Sequence, residues 1–273
     1  PDNHPLVKTI EQFLIKYNKN NKSIIVSLSG GIDSMVLVSI LWKLSKKYNF
    51  KLYSATIDYS TRKESKYEAD FTRLFCKKYG IDFNLKTIEG VCRESNDNSR
   101  DEYEEESRSV RYGLYNKLLD ETKAEGIYVA HHYDDITENV FTNFMKGANI
   151  LDLVVMHDVN NVRGVNIMRP FLNHPKKDIY DFAHTYNIPY FKNTTPIWCK
   201  RGIMREKLFK MLDNMFGIIF RKNLNDLGQK SYQIGNLVSD KIINPFLNKV
   251  VFCKYGAYFK LEENNPDIFW ELI

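Results

Sequence analysis

The stretch with the clearest chemical content is Ser29-Gly30-Gly31-Ile32-Asp33-Ser34, which follows an apolar run and leads into an amphipathic segment. Two adjacent glycines allow a bend in which successive backbone N–H groups point at one anion, and the start of the following helix adds partial positive charge. The Ser29 and Ser34 hydroxyls can donate to phosphate oxygens, and the Asp33 carboxylate beside them suits Mg²⁺. The pattern therefore predicts a phosphate and magnesium site, with an ordinary glycine-rich turn as the alternative.

A second group of reactive side chains is His131-His132-Tyr133-Asp134-Asp135, which directly follows the short apolar run 127–130. A helix is predicted to begin immediately after this group, so Asp134 and Asp135 have a plain alternative as acidic residues that favour a helix start. Imidazole and carboxylate groups at a strand end also suit a metal and triphosphate site, because ligands of parallel sheets bind at that edge. We expect this group to lie close to Asp33.

The elements that must position these residues follow from hydrophobic periodicity. Residues 5–17 carry apolar side chains at helical spacing, and runs with strand character occupy residues 24–28, 51–58, 81–88 and 127–130. A strand, a helix of about fifteen residues and a second strand form a βαβ unit, which implies a parallel sheet with a right-handed crossover. The predicted fold is α/β, a doubly wound parallel sheet whose ligands bind beyond the carboxyl ends of the strands.

Further polar side chains are candidates for the same edge. Asp58 ends the second predicted strand, and its spacing to Arg62 lets an arginine project over a nucleotide, with a solvated loop as the alternative. Arg108 and Arg111 are three residues apart on one side of a predicted helix. These two side chains can reach a phosphate, or they can simply neutralise the glutamates that precede them.

Composition places the 273-residue chain among ordinary globular proteins, with 43% hydrophobic and 27% charged residues. The net charge of +5 is concentrated in residues 197–273, where 12 Lys/Arg face 8 Asp/Glu, a balance that suits a polyanionic partner or a solubilising face. No apolar run approaches the roughly 18 residues of a membrane span, and no signal peptide is visible. The four scattered cysteines have no metal-binding spacing, so we expect reduced thiols in a cytoplasmic protein without membrane contact.

Taken in order, these motifs resemble those of the tRNA(Ile)-lysidine synthetases, a family of PP-loop ATP pyrophosphatases, over roughly residues 20–215. The stretches that carry the resemblance are Ser29 to Ser34; Asp58, Arg62 and Ser65; Arg108, Arg111 and Tyr112; His131, His132, Asp134, Asp135 and Glu138; Lys146-Gly147; Arg169-Pro170-Phe171-Leu172 with Lys176 or Lys177; Ile188-Pro189-Tyr190; and Arg201-Gly202-Ile203-Met204-Arg205. The resemblance implies an adenine nucleotide alpha hydrolase-like fold with ATP and Mg²⁺ as cofactors and with tRNA and lysine as partners.

The chemistry that this resemblance implies has two steps. ATP is cleaved between its α- and β-phosphates to adenylate the wobble cytidine of an isoleucine tRNA, and lysine then displaces AMP to form lysidine. The catalytic residues implied are Asp33, Asp134, Asp135 and His131, with Asp33 and Asp134 as metal ligands. The residues implied to bind the nucleotide are Ser29, Gly30, Gly31, Ile32, Asp33, Ser34, Asp58, Arg62 and Arg108, and those implied to bind tRNA are Arg111, Arg201 and Arg205.

The chain departs from the family pattern at Tyr59, Asn139, residues 192–196 and Gly202, all near the expected nucleotide or amino-acid site. These departures leave two alternatives. One is a tRNA thiolase of the same superfamily, which normally needs cysteine pairs to carry sulfur or an iron–sulfur cluster. The other is a non-catalytic, tRNA-binding relic.

The chain is predicted to divide into a PP-loop catalytic domain over residues 1–205 and a small C-terminal region over residues 206–273. Helical spacing and a turn at Tyr255-Gly256 predict helices and a hairpin in this second region, whose basic excess makes it a candidate tRNA contact. The acidic run 93–106 is predicted to be an exposed loop without chemistry. The oligomeric state is left open, with a homodimer as one option.

Overall fold

The structure of the protein is a computed structural model. The residues that it describes are 3–18, 22–60, 65–88, 97–192 and 200–260, with backbone alone for 97–104. None of the helices in these ranges is both long enough and apolar enough to cross a membrane. Contacts divide the chain into two compact units, Pro1–Ile136 with Met156–Lys210 and Thr137–Val155 with Met211–Ile273. The second unit thus includes residues 137–155 in addition to most of the predicted C-terminal region. A role of this region in tRNA contact stays a prediction.

Strands and helices alternate along most of the chain. The elements up to residue 185 are α1 Pro5–Tyr17, β1 Ser23–Ser27, α2 Ile32–Tyr48, β2 Lys51–Asp58, α3 Ser65–Tyr79, β3 Asp82–Thr87, α4 Asp97–Thr122, β4 Ile127–Tyr128, α5 Tyr133–Met145, β5 Val159–Val162, β6 Val165–Met168 and α6 Lys176–Thr185. The later elements are α7 Lys200–Ile203, a π-helical turn Met204–Leu208, α8 Phe209–Phe216, α9 Ile219–Val238, a second π-helical turn Ser239–Ile243, α10 Asn244–Leu247, β7 Val251–Cys253 and β8 Gly256–Tyr258.

The first unit is built on a six-stranded sheet in the order β3-β2-β1-β4-β6-β5. Strands β3, β2, β1, β4 and β6 run parallel, and β5 pairs antiparallel with β6 at the edge. Within the sheet, β2 and β3 lie on one side of β1, and β4 and β6 lie on the other side. The strand order therefore reverses between β1 and β4. This confirms the predicted doubly wound α/β fold and places its switch point, where such folds bind ligands, beside β1.

Strand β1 is buried on both faces, which explains its continuous apolar sequence. Ile24 and Val26 belong to a core shared with α1, α2 and α6. Ile25 belongs to a second core, which includes Tyr115 and Leu118 of α4. Since successive side chains of a strand point to opposite faces, this alternation places helical layers on both sides of the sheet.

Several predicted elements are confirmed: the leading helix as α1 and the second strand as β2, both at the predicted bounds, and the C-terminal hairpin as the short strands β7 and β8. The predicted loop over residues 93–106 is wrong from residue 97 onward, because α4 begins at Asp97. Acidic residues are favoured in the first turns of a helix. A charged run without glycine or proline can therefore begin a helix as readily as it forms a loop.

In the second unit, the buried residues of helix α9 are small: Asn225, Gly228 and Ser231. On helix α9, a Cβ atom added at Gly228 would lie 2.5 Å from Val154 Cγ2 and 2.7 Å from Val140 Cγ2. One turn further along α9, the Ser231 hydroxyl accepts a hydrogen bond from the Leu153 amide at 3.1 Å. Residues 137–155 are thus held against α9 at a distance that only glycine permits at position 228.

Candidate active site

The loop that follows β1 has the bend that its glycines predict. Gly30 has a φ of +79°, a conformation that side chains other than glycine rarely adopt, and a Cβ atom there would lie 3.3 Å from Thr72 Cγ2. Helix α2 starts at Ile32, with Gly31 as its N-cap residue. The first N–H groups of an α-helix have no acceptor within the helix, so this end of α2 suits an anion.

The two serines of the loop hold its shape. The Ser34 hydroxyl donates to the Gly31 carbonyl at 2.9 Å and accepts from the Ser29 amide at 3.2 Å. The two hydroxyl oxygens lie 3.1 Å apart. Ser34 is buried whereas Ser29 is exposed, so Ser34 stabilises the bend while Ser29 is accessible to a ligand.

Asp33, in the first turn of α2, meets the residues that follow β4. Its carboxylate accepts a hydrogen bond from Lys176 Nζ at 2.6 Å, and the Lys176 amide donates to Asp134 Oδ2 at 2.8 Å. His132 lies between the two carboxylates, with Nε2 3.8 Å from Asp33 Oδ1 and Nδ1 3.5 Å from Asp134 Oδ2. The structure therefore brings together Asp33 and the His-Asp group, as the sequence predicts.

Asp135 is more deeply embedded than Asp134. One of its oxygens accepts from Arg205 Nη2 at 2.8 Å and the other from the His132 amide at 3.0 Å. Burial by itself would raise the pKa of the Asp135 carboxyl, but the neighbouring histidines and Arg205 outweigh it and lower this pKa to about 2. A carboxylate with this pKa and with both oxygens occupied is a weak proton acceptor, and Asp135 is best suited to holding Arg205 and the loop after β4.

His131 projects from the same loop and contacts a different partner. Arg169, just after β6, donates from Nε to His131 Nδ1 at 3.1 Å. The pKa of the His131 imidazole is lowered to about 4, mainly by burial. The positive charges of Arg169 and Arg201 also lower this pKa, whereas the negative charge of Asp135 raises it. His131 is therefore neutral at physiological pH.

The donor set fits Mg²⁺ in the way that proteins commonly hold this ion, by one or two carboxylates together with substrate phosphates. Asp33 and Asp134 are each partly exposed, with about 27% and 28% of the side chain accessible. His132 Nδ1 is buried and makes no hydrogen bond to the residues described. Within those residues no group of three or more His, Cys, Asp or Glu side chains is placed to enclose a metal ion, so a magnesium ion here would depend on ligands from the nucleotide.

Only one of the two nucleotide contacts predicted near the end of β2, Asp58, is among the residues that the structure describes. Asp58 is the last residue of β2, and its Oδ1 accepts a hydrogen bond from the Ser60 amide at 2.8 Å. Arg62 lies outside the described residues, as do residues 193–196 of the segment that departs from the family pattern.

Apart from Arg62, four arginines are predicted to contact ATP or tRNA, and they differ in their surroundings. Arg108 and Arg201 are exposed, whereas Arg111 is half-buried. Burial would lower the pKa of the Arg111 guanidinium, but Tyr59 and neighbouring tyrosine hydroxyls raise it above its usual range. Arg205 is engaged with Asp135. Accessibility therefore favours Arg108 and Arg201 as contacts for a polyanion, while Arg205 has a partner inside the protein.

The two cysteines that the structure describes are free thiols, Cys76 buried and Cys253 exposed. Burial raises the pKa of the Cys76 thiol to about 11, so this group stays protonated and unreactive. Cys92 and Cys199 lie outside the described residues. Reduced thiols throughout the chain therefore stay a prediction.

Two residues of the site, Lys176 and Arg169, are not among the predicted functional residues, although both fall in stretches that carry the family resemblance. The sequence leaves Lys176 and Lys177 equivalent, and the structure selects Lys176 because it is the first residue of α6 and contacts Asp33. Arg169 carries a signal that could have found it, because an arginine at the end of an apolar strand is unusual unless it has a specific partner.

A family model described as the PP-loop domain matches residues 3–212. The tRNA(Ile)-lysidine synthase of Chlamydia trachomatis serovar L2 is 30% identical over 260 residues, which cover 94% of this chain and 77% of that protein. The protein of the same name from Chlamydia muridarum is 28% identical over 253 residues, covering 92% of this chain and 76% of that protein.

Among solved structures, the U34-tRNA thiolase NcsA from Methanococcus maripaludis, determined with its 4Fe–4S cluster, is similar to this chain with a TM-score of 0.60. The sequence identity is 19%, and the alignment covers 86% of this chain and 81% of the thiolase chain. At this level of identity the similarity concerns the fold, and it agrees with the parallel α/β sheet described above.

Proposed function

This chain belongs to the PP-loop family and, within it, to the tRNA(Ile)-lysidine synthases, and on that premise we propose that it adenylates the wobble cytidine of an isoleucine tRNA and then joins lysine to that base. It is an ATP-dependent carbon–nitrogen ligase that modifies tRNA. The single observation that carries the adenylation step is the loop after β1, whose bend at Gly30 and helix start at Ile32 lie at the switch point of the sheet.

In the first step the base carbonyl oxygen attacks the α-phosphorus of ATP, and the bond to the β-phosphate breaks to release pyrophosphate. The backbone N–H groups of the loop and the exposed Ser29 hydroxyl hold the leaving pyrophosphate. Asp33 and Asp134 would hold Mg²⁺, which when bound neutralises charge on the phosphate oxygens. The Lys176 ammonium lies beside Asp33, where it can turn from the carboxylate to a phosphate oxygen.

In the second step the lysine amine attacks the activated carbon of the base, and AMP leaves. A protonated amine is not a nucleophile, so a base must accept a proton from the incoming ammonium. We assign this role to Asp134, which is partly exposed, in preference to Asp135, whose side chain is about 7% exposed and is paired with Arg205.

Contact with tRNA is assigned to exposed positive charge. Arg108 and Arg201 are exposed in the first unit. In the second unit the β7–β8 hairpin exposes aromatic side chains, with Tyr255 90% and Phe252 76% accessible, and Lys254 Nζ lies 5.5 Å from the Tyr255 ring centroid. Lysines interleaved with exposed aromatic rings can pair with phosphates and stack on unpaired bases, and this supports the second unit as a tRNA contact.

The adenylation step is tested by ATP–pyrophosphate exchange in the presence of tRNA, with Asp33→Asn as the variant and Asp82→Asn as its control. Asp82 pairs with Lys51 on the surface at the start of β3, away from the strand ends that bind ligands. We expect Asp33→Asn to lose about 100-fold or more of the exchange rate, because a group that stabilises phosphoryl charge is removed, and Asp82→Asn to behave as the wild type. Normal exchange by Asp33→Asn contradicts the proposal.

The second step is tested with isotopically labelled lysine and mass spectrometry of nucleosides from the tRNA product. The proposal requires the label to appear in one modified cytidine of an isoleucine tRNA. Incorporation of sulfur instead would identify a thiolase, and binding of tRNA without binding of ATP would identify a non-catalytic relic.

A further inference from the structure

Arg169 is a buried cation without a carboxylate partner in the part of the chain that the structure describes. Arg169 is only 6% exposed to solvent. Its Nη1 donates to the His157 carbonyl at 3.1 Å and to Asn160 Oδ1, while Nε donates to His131 Nδ1 at 3.1 Å. Two acceptors from the segment before and within β5 therefore fix the guanidinium plane, and the third bond fixes the imidazole.

The direction of the bond from Arg169 decides the protonation of His131. An arginine Nε always carries its hydrogen, so His131 Nδ1 must present a lone pair. The ring proton of the neutral imidazole then lies on Nε2. A protonated imidazolium would place two N–H groups face to face at 3.1 Å, which this geometry excludes.

The charges that face His131 act mostly in the same sense. Arg169 approaches from β6, Arg201 from α7, and His132 from the adjacent position, and all three oppose a positive charge on the ring; Asp135 of α5 opposes them. Among the residues that the structure describes, none accepts a hydrogen bond from His131 Nε2. The N–H of this nitrogen is therefore a donor that a ligand can use, on the same loop that brings His132 to Asp33.

We propose that Arg169 is a positioning residue that holds His131 as the Nε2–H tautomer, so that His131 donates a hydrogen bond to an anionic phosphoryl oxygen of the substrate and does not act as a general base. This inference rests on the proposed adenylation at the same site and assigns His131 a definite part in it. A fixed N–H donor stabilises charge that develops on the phosphoryl group, and it needs no proton transfer of its own.

The tautomer is measured directly by ¹⁵N NMR of the histidine ring nitrogens in the full-length protein without ligand. The wild type should show His131 with a protonated Nε2 and an unprotonated Nδ1 at pH 7, and assignment comes from the spectrum of His131→Gln. A protonated Nδ1 at pH 7 would overturn the inference whatever the activity of the enzyme.

Two substitutions at position 169 separate the donor from the charge. Glutamine places its amide nitrogen at the same distance along the side chain as arginine Nε and keeps an N–H donor, whereas methionine has the length without the donor. We expect His131 to keep the Nε2–H tautomer in Arg169→Gln and to become a mixture of the two tautomers in Arg169→Met. If Arg169→Met, shown to be folded by circular dichroism, leaves the tautomer unchanged, Arg169 does not position His131.

Two substitutions at position 131 separate a donor from a base. Glutamine can present an N–H close to the position of His131 Nε2, and asparagine presents one only near Nδ1; neither side chain can accept a proton near neutral pH. We expect His131→Gln to keep ATP–pyrophosphate exchange within about 10-fold of the wild type, and His131→Asn to lose about 100-fold, the usual cost of one donor to a developing anion. Equal inactivity of the two folded variants would favour a base and overturn the inference.

The two proposals fail in different ways. If the wild type shows the Nε2–H tautomer but no ATP–pyrophosphate exchange with any tRNA, the proposed function is wrong and the positioning role of Arg169 stands. If exchange is normal but the proton is on Nδ1, the proposed function stands and this inference is wrong.

Discussion

The loop after β1 and the loop after β4 lie at adjacent strand ends but are built by different means. The first is shaped mainly by glycine conformation and by hydrogen bonds between residues at most five positions apart, such as the Ser29 amide to Ser34 Oγ, with one distant bond from the Phe191 amide to the Gly30 carbonyl at 3.0 Å. The second is held by residues from distant parts of the chain, namely the guanidinium groups of Arg169 and Arg205 and the backbone amide of Lys176. The loop proposed to bind phosphate is therefore largely a local structure, whereas the loop after β4 depends on the completed fold.

The largest loss of activity is expected from a substitution that disturbs the loop after β1. Gly30→Ala places a methyl group at a φ of +79° and 3.3 Å from Thr72 Cγ2, so the loop must shift. We expect a loss of about 100-fold in ATP–pyrophosphate exchange, as for other small misplacements of a reacting group. Gly80→Ala is the control, because Gly80 has a φ of +67° with nothing within 4 Å of the added carbon. Equal exchange rates in the two variants would show that the loop does not bind the phosphates.

A second substitution tests whether distant charges hold the loop after β4. Arg205→Met leaves one oxygen of the buried Asp135 without its donor, which should lower the free energy of unfolding by about 2 kcal/mol. Urea denaturation measures this change. Arg221→Met is the matched control, since its carboxylate partner Asp213 is 24% accessible against 7% for Asp135, and it should cost less than about 1 kcal/mol. A loss no larger than that of the control would show that Asp135 does not depend on Arg205.

Lys176 connects the two loops, because its ammonium contacts Asp33 and its amide contacts Asp134. Lys176→Met keeps the amide contact and removes the charge, so we expect a loss of about 10-fold in kcat/KM for ATP with little change in stability. Lys177→Met, at an exposed neighbouring position, should retain the wild-type value. If both variants behave alike, the ion pair with Asp33 has no part in ATP use.

The smallest expected effect is a pH dependence of stability. The folded state lowers the pKa of His131 from 6.5 to about 4, so between these values the unfolded chain binds more protons and acid favours unfolding. The contribution of His131 is complete above pH 6.5 and is lost as pH falls toward 4. Because the side chain is partly accessible, we expect about 1 kcal/mol. Urea titrations of His131→Gln should lack this slope, and those of His184→Gln, at an exposed histidine, should keep it.

Much of the fold could be predicted because it depends on short-range patterns. The apolar run of β1, the glycine bend and the amphipathic start of α2 are contiguous, and their structure follows from periodicity and glycine conformation. The strand ends at Asp58 and His131 were predicted to share one edge for the same reason, since a parallel βαβ arrangement leaves little choice.

The remainder depended on contacts that periodicity does not encode. Lys176 contacts Asp33 across 143 positions, and Arg169 contacts His131 across 38. Local sequence can suggest such residues but cannot choose between Lys176 and Lys177, which differ only in their place on α6. The start of α4 at Asp97 was missed because an acidic run is compatible with both a loop and the first turns of a helix.

The register of strand β1 decides which core each of its side chains enters, since Ile24 and Val26 point into one core and Ile25 into the other. Gain or loss of a single residue before Gly30 would exchange the layers that these side chains enter and would turn the following bend away from the residues that follow β4. We therefore expect length to be more strictly maintained here than chemistry. In a library of variants selected for enzyme activity, exchanges among isoleucine, valine and leucine between residues 23 and 28 should be retained. Insertions and deletions in that interval should be lost.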